Sequence, residues 1–127
     1  MRKVLLYVGG SISFVYIIIH LLFWKLFNWS EELAKLSAMN KALMLTLDAG
    51  VTYFFVFATF ISIYLAGLKE FKFLEKTIIL FISGLYILRI ICGFFFFDFT
   101  MLELACWISC MIAIFCYLLA LRQTKAL

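Results

Sequence analysis

Hydrophobic residues occupy four long stretches of this chain, and short polar connectors separate the stretches. Each stretch is at least as long as the roughly 20 apolar residues that a helix needs to cross the hydrocarbon core of a bilayer. The predicted membrane spans are about 4–27, 41–68, 74–97 and 100–121. The pattern therefore predicts an all-α integral membrane protein, a single domain over residues 1–127 that is built as a four-transmembrane-helix bundle.

The connector between the first two spans contains a short amphipathic pattern. Ser30 precedes two glutamates, and Leu33 and Leu36 follow at helical spacing. A serine cap before acidic residues is typical of a helix start, and the leucines could face the lipid headgroups. The connector therefore predicts a short interfacial helix over about 30–38, with an irregular loop as the alternative.

Short connectors force consecutive spans to run antiparallel, which predicts an up-down-up-down bundle. Cytoplasmic flanks of membrane proteins carry an excess of lysine and arginine, so the basic residues predict the orientation. One side of the predicted bundle holds Arg2, Lys3, Lys69, Lys72, Lys76, Arg122 and Lys125, and the other holds Lys25, Lys35 and Lys41. We therefore expect both termini in the cytoplasm and the protein in the plasma (inner) membrane.

The composition excludes a soluble domain. Hydrophobic residues make up 68% of the chain and charged residues only 14%, whereas soluble proteins are roughly one quarter charged. The net charge of +4 comes from small basic groups at the span ends and forms no continuous basic stripe. We therefore expect no nucleic-acid partner, and the lipid bilayer is the partner that the composition predicts.

Four ionisable residues lie within the apolar spans or at their margins: His20, Asp48, Arg89 and Glu103. A charged side chain in this position costs roughly 2.5–3.5 kcal/mol on insertion scales unless it finds a partner or water. Counting about 1.5 Å per residue from the span ends places all four in the outer half of the membrane. We therefore expect them to converge on the bundle axis as one polar cluster.

Each of these residues extends a stripe of polar or small residues at helical spacing. Such stripes face protein rather than lipid, because lipid tails cannot satisfy polar groups. The stripes add Gly9, Ser13 and Tyr16 in the first span, Thr52, Thr59 and Ser62 in the second, Tyr86 and Gly93 in the third, and Cys106 and Cys110 in the fourth. Tyr16 and Thr52 are the members of these stripes that we expect to join the charged cluster.

Two hypotheses explain this cluster. In the first, it forms an outer-leaflet polar cavity that binds or conducts a small polar solute, an ion or a proton, with contacts from His20, Asp48, Arg89, Glu103, Tyr16 and Thr52. In the second, the protein is a non-catalytic membrane anchor or assembly subunit, and the buried charges form a structural network. Four short helices enclose a narrow space, so a homo-oligomer or a partner membrane subunit is expected in either case.

The remaining chemistry is sparse. His20 is the single histidine, so a metal site would need Cys106 and Cys110 to lie beside it, which makes this a less favoured alternative. No catalytic motif such as H-E-x-x-H or G-x-S-x-G occurs in the chain. We therefore expect no cofactor, and a protein that is more readily explained as a non-enzyme.

Overall fold

The fold is all-helical over residues 1–123, which are the residues that the structure, a computed structural model, describes. Lys125, which the sequence analysis counts among the basic flanks, lies outside them. The helices are α1 (Arg2–Leu21), α2 (Phe23–Leu26), α3 (Trp29–Glu32), a 3₁₀ turn (Leu33–Lys35), α4 (Ala38–Gly67), α5 (Phe73–Phe96) and α6 (Met101–Arg122). Four of them, α1, α4, α5 and α6, are long and apolar enough to cross a membrane. They are compatible with a membrane helical bundle, as the sequence predicts.

The helix ends differ from the predicted spans for local reasons. Helix α1 stops at Leu21, and α2 begins after a one-residue break, so the predicted first span is interrupted before residue 27. Helix α4 begins at Ala38 because the Ser37 hydroxyl accepts a hydrogen bond from the backbone N–H of Asn40 at 3.3 Å. The Thr100 hydroxyl likewise accepts from the backbone N–H of Glu103 at 3.1 Å and fixes the start of α6.

The first connector begins its helix earlier than its sequence predicts. Asn28 takes a left-handed conformation, with φ at 49°, and its side-chain amide donates to Glu31 at 2.7 Å. Ser30 therefore lies inside α3 instead of capping it. The expected helix over 30–38 is divided into α3, the 3₁₀ turn and the start of α4. Trp29 of α3 and Leu33 of the 3₁₀ turn are buried.

Helix α1 packs against both α4 and α6, and α6 packs against α5. Two consecutive glycines in α1 make this possible, because small residues let membrane helices approach closely. A Cβ on Gly9 would lie 2.8 Å from the Tyr117 ring of α6, and a Cβ on Gly10 would lie 3.0 Å from the Ser62 side chain of α4. These two positions bring three helices together around α1.

The beginning of α1 also contacts the end of α4. The Arg2 guanidinium donates to the backbone carbonyl of Lys69 at 2.8 Å and to that of Leu68. Its Cζ lies 4.8 Å above the centre of the Phe71 ring. A cation on the last carbonyls of a helix satisfies their hydrogen-bonding capacity and opposes the negative end of the helix dipole. Arg2 therefore closes one end of the α1–α4 pair.

Three tyrosine–serine hydrogen bonds cross the core of the bundle. Their oxygens are 2.7–2.8 Å apart, and each bond joins a different pair of helices. The pairs are Ser13 with Tyr86 (α1–α5), Tyr16 with Ser109 (α1–α6) and Ser62 with Tyr117 (α4–α6). Hydrogen bonds of this kind contribute about 0.6 kcal/mol each on average between membrane helices. All four long helices are joined by these bonds.

Replacing Gly9 by alanine should destabilise the bundle by about 1–3 kcal/mol, because the added methyl group overpacks against Tyr117. Unfolding of the purified protein in detergent, followed by circular dichroism, would measure the loss. Gly84→Ala is the matched control, since a Cβ there meets nothing within 4 Å. Equal stability of the two variants would contradict the close α1–α6 approach.

Candidate functional site

Arg89 of α5 and Glu103 of α6 form a two-fold ion pair near the turn that joins these helices. Arg89 Nη1 lies 2.8 Å from Glu103 Oε1, and Nη2 lies 2.9 Å from Oε2. The carboxylate side chain is 7% exposed and the arginine side chain 31%. This parallel arrangement satisfies both oxygens of the acid and is the strongest geometry available to an arginine and a carboxylate.

Gly93 makes room for this ion pair. It lies one helical turn after Arg89, and a Cβ at this position would collide with the Glu103 carboxylate. The same hypothetical Cβ would lie 2.7 Å from Arg89 Nη1 and 2.5 Å from the indole nitrogen of Trp107. The ion pair and the Trp107 indole therefore both pack against the α5 backbone at Gly93, where no side chain intervenes.

Two aromatic members of this site, Trp107 and Phe97, are not among the residues that the sequence predicts. The buried indole nitrogen of Trp107 lies beside the ion pair. The Arg89 Cζ lies 4.9 Å above the centre of the Phe97 ring, a cation–π contact that shields the open face of the guanidinium. Helical spacing could have found Trp107, since it follows Glu103 by four residues. Phe97 carries no such signal within its run of four phenylalanines.

His20 of α1 and Asp48 of α4 form a second pair. His20 Nδ1 lies 2.6 Å from Asp48 Oδ1, and their side chains are 14% and 20% exposed. The imidazole packs against two rings, with centroid distances of 4.4 Å to Phe23 and 5.4 Å to Phe55. Thr52, which the sequence assigns to the cluster, donates its hydroxyl to the Asp48 backbone carbonyl at 2.8 Å and so stabilises α4 itself.

Tyr16 connects the neighbourhoods of the two pairs. Its ring stacks on Phe55 at 4.9 Å, and Phe55 also contacts the His20 ring. Its hydroxyl points to α6, where it lies 2.7 Å from Ser109 Oγ, 3.1 Å from Cys106 Sγ and 3.4 Å from Cys110 Sγ. Tyr16 is therefore central to the contacts between α1 and α6.

The sequence predicts one convergent cluster, whereas the structure has two separate pairs. His20 and Asp48 join α1 to α4, and Arg89 and Glu103 join α5 to α6. Within residues 1–123, no hydrogen bond or salt bridge connects one pair to the other. Each of the four residues thus has its partner on the neighbouring long helix along the chain.

The alternative metal site is not assembled. In the described part of the chain, no group of three histidine, cysteine or acidic side chains is placed to hold a metal ion. His20 uses Nδ1 on Asp48, while Cys106 and Cys110 both face the Tyr16 hydroxyl. The structure does not bring the histidine to the two cysteines.

Two surface grooves are lined mostly by apolar side chains. The larger, of about 650 Å³, lies between α1 and α4, and the smaller, of about 260 Å³, runs along α6. None of the four ionisable residues of the spans lines either groove. The charged pairs and the grooves are therefore distinct features.

Arg89→Met should destabilise the protein by about 3–5 kcal/mol, because it leaves the Glu103 carboxylate buried without a counter-ion. The double variant Arg89→Met/Glu103→Met should recover most of this loss, since flexible apolar side chains can fill the same space. Chemical unfolding in detergent micelles measures both effects. Lys35→Gln breaks an ion pair whose side chains are 67% and 57% exposed, so it should cost no more than about 1 kcal/mol. A double variant as unstable as the single one would contradict this account.

Comparisons of the chain with protein-family models, with curated proteins and with solved structures found no match. The role of the two pairs is therefore inferred from their own geometry: hydrogen bonding, burial and position between helices.

Proposed function

We propose that this protein is a non-catalytic membrane anchor or assembly subunit, in which the buried charges hold the helices together. The observation that carries the proposal is the Arg89–Glu103 pair. Both carboxylate oxygens are bound by the guanidinium, and Glu103 as a whole is 5% exposed. A charged solute would have to displace a partner that is already matched in charge and shape, so this geometry favours a structural role.

The other polar groups of the core support the same function. His20 and Asp48 are paired across α1 and α4, and three tyrosine–serine hydroxyl pairs join different helices. Most of the apolar surface of the long helices, in contrast, faces outward. Only 28% of the most apolar segment is buried in each of α1, α4 and α5, and 33% in α6. The polar pairs thus link helices inside the bundle. The apolar outer surface can contact lipid, a second copy in a homo-oligomer or a partner membrane subunit.

A second function, the handling of an ion, a proton or a small polar solute, is favoured by one observation. The His20–Asp48 pair joins two groups that can exchange a proton, and both side chains are partly exposed. In this alternative, His20 and Asp48 carry the ion or proton, Tyr16 and Thr52 line its path, and Arg89 and Glu103 support the site.

In cells that lack the gene, the Arg89→Met/Glu103→Met variant should restore the growth or membrane phenotype of the deletion to the wild-type level, because an apolar pair can replace a structural ion pair. Complementation measures this, with helix content and detergent stability recorded for the same variant. His20→Gln/Asp48→Asn, which keeps a hydrogen bond but removes both ionisable groups, should complement equally well. A folded variant that fails to complement would contradict the anchor function and favour ion or solute handling.

We further propose the orientation that the basic flanks favour: an up-down-up-down bundle with both termini in the cytoplasm of a plasma (inner) membrane. A cysteine placed at Ala34 should react with a membrane-impermeant maleimide in intact cells, and a cysteine at Glu70 should react only after permeabilisation. Both positions are exposed. The unmodified protein is the control, since its four cysteines lie within α5 and α6. The reverse labelling pattern would contradict this orientation.

A further inference from the structure

The groove between α1 and α4 has dimensions and neighbours that suit one kind of ligand. Its lining runs along α1 from Leu6 to Ile17 and along α4 from Val56 to Ile63. At about 1.5 Å per residue, the α1 side is roughly 16 Å long. One leaflet of the hydrocarbon core is about 15 Å thick, so the groove matches the length of a single leaflet.

The shape of the groove follows from a missing side chain. Gly10 lies on its floor, where an added Cβ would lie 3.0 Å from the Ser62 side chain of α4. Larger side chains form its walls, among them Phe14 of α1 and Phe60 of α4, which are 53% and 69% exposed. A narrow apolar channel between two aromatic walls fits a flexible acyl chain.

One end of this groove is basic. Lys3, Tyr7, Ser11 and Phe14 follow one another at spacings of four, four and three residues, so they share one face of α1. Lys3 therefore lies one turn beyond the end of the groove. Lys69 is held at the same end, because Arg2 donates to its backbone carbonyl.

These two lysines have no salt-bridge partner among residues 1–123. Both are exposed. Basic side chains at a membrane surface attract anionic lipid headgroups. The basic end and the apolar groove together match the two parts of one anionic lipid molecule.

We propose that the α1–α4 groove binds an anionic phospholipid, with one acyl chain along the groove and the headgroup phosphate between Lys3 and Lys69. Charge complementarity and the leaflet-length match favour this occupant over a helix of a second copy. A helix would fill the apolar channel equally well, but it would not need two exposed lysines at one end. This inference is independent of the anchor function, since lipid binding is compatible with either proposed function.

Native mass spectrometry of the full chain, released from nanodiscs with equal amounts of phosphatidylglycerol and phosphatidylcholine of identical acyl chains, tests the proposal. The wild-type protein should retain phosphatidylglycerol in preference by about 30-fold, because each lysine near the phosphate contributes roughly a fivefold preference. Lys3→Gln/Lys69→Gln should abolish the preference. Lys25→Gln/Lys41→Gln is the charge-matched control at the other end of the bundle, and it should leave the preference unchanged.

A second variant tests the groove itself. Ser11 lines the groove and is exposed, so Ser11→Phe should fill the channel without disturbing the core. This variant should lose both retained lipids while its helix content and melting temperature stay at the wild-type values. Equal retention of the two lipids by the wild-type protein, or undiminished retention by Ser11→Phe, would overturn the proposal. A change from dimer to monomer in Ser11→Phe, with lipid retention unaltered, would also overturn it and assign the groove to a second copy.

Discussion

A bilayer provides no hydrogen-bond partners to the side chains that cross it, and this constraint organises the interior of the protein. Every charge that enters a span must be neutralised by another part of the same bundle or remain costly. The bidentate contact between Arg89 and Glu103 is the clearest response, because it satisfies both carboxylate oxygens at 2.8 and 2.9 Å. Gly93 leaves room for this contact, since a side chain at this position would occupy the space of the Glu103 carboxylate.

The core tyrosines provide hydrogen-bond partners to neutral polar groups that lipid cannot satisfy. Each of Tyr16, Tyr86 and Tyr117 carries a large apolar ring and one hydroxyl, so it fills the core and bonds a serine on another helix. The rings of Tyr86 and Tyr117 also stack on each other at 6.3 Å. The interior is therefore held by ring packing, with hydroxyl contacts that specify which helix faces which.

The sequence predicts the architecture well because hydrophobic length and helical periodicity are local properties. Membrane-length helices and inward-facing stripes with Ser13, Tyr16 and Gly93 follow from residue spacing alone. Partner choice does not, because it depends on the rotation and relative depth of whole helices. The single expected cluster becomes two pairs for this reason. Trp107 was recoverable from its spacing to Glu103, whereas the left-handed Asn28 could not be distinguished from the other polar residues of its connector.

The division of the charges into two pairs has a consequence for biogenesis. Each pair lies within one helical hairpin, α1 with α4 and α5 with α6, and its members are separated by 28 and 14 residues. As a hairpin leaves the ribosome and enters the translocon, the two members of its polar pair become available within the same short segment of nascent chain. Each hairpin can therefore form its own polar pair before the other hairpin is made. The hydroxyl contacts from α1 to α5 and α6 then join two preassembled halves, in keeping with a two-stage route to the folded bundle.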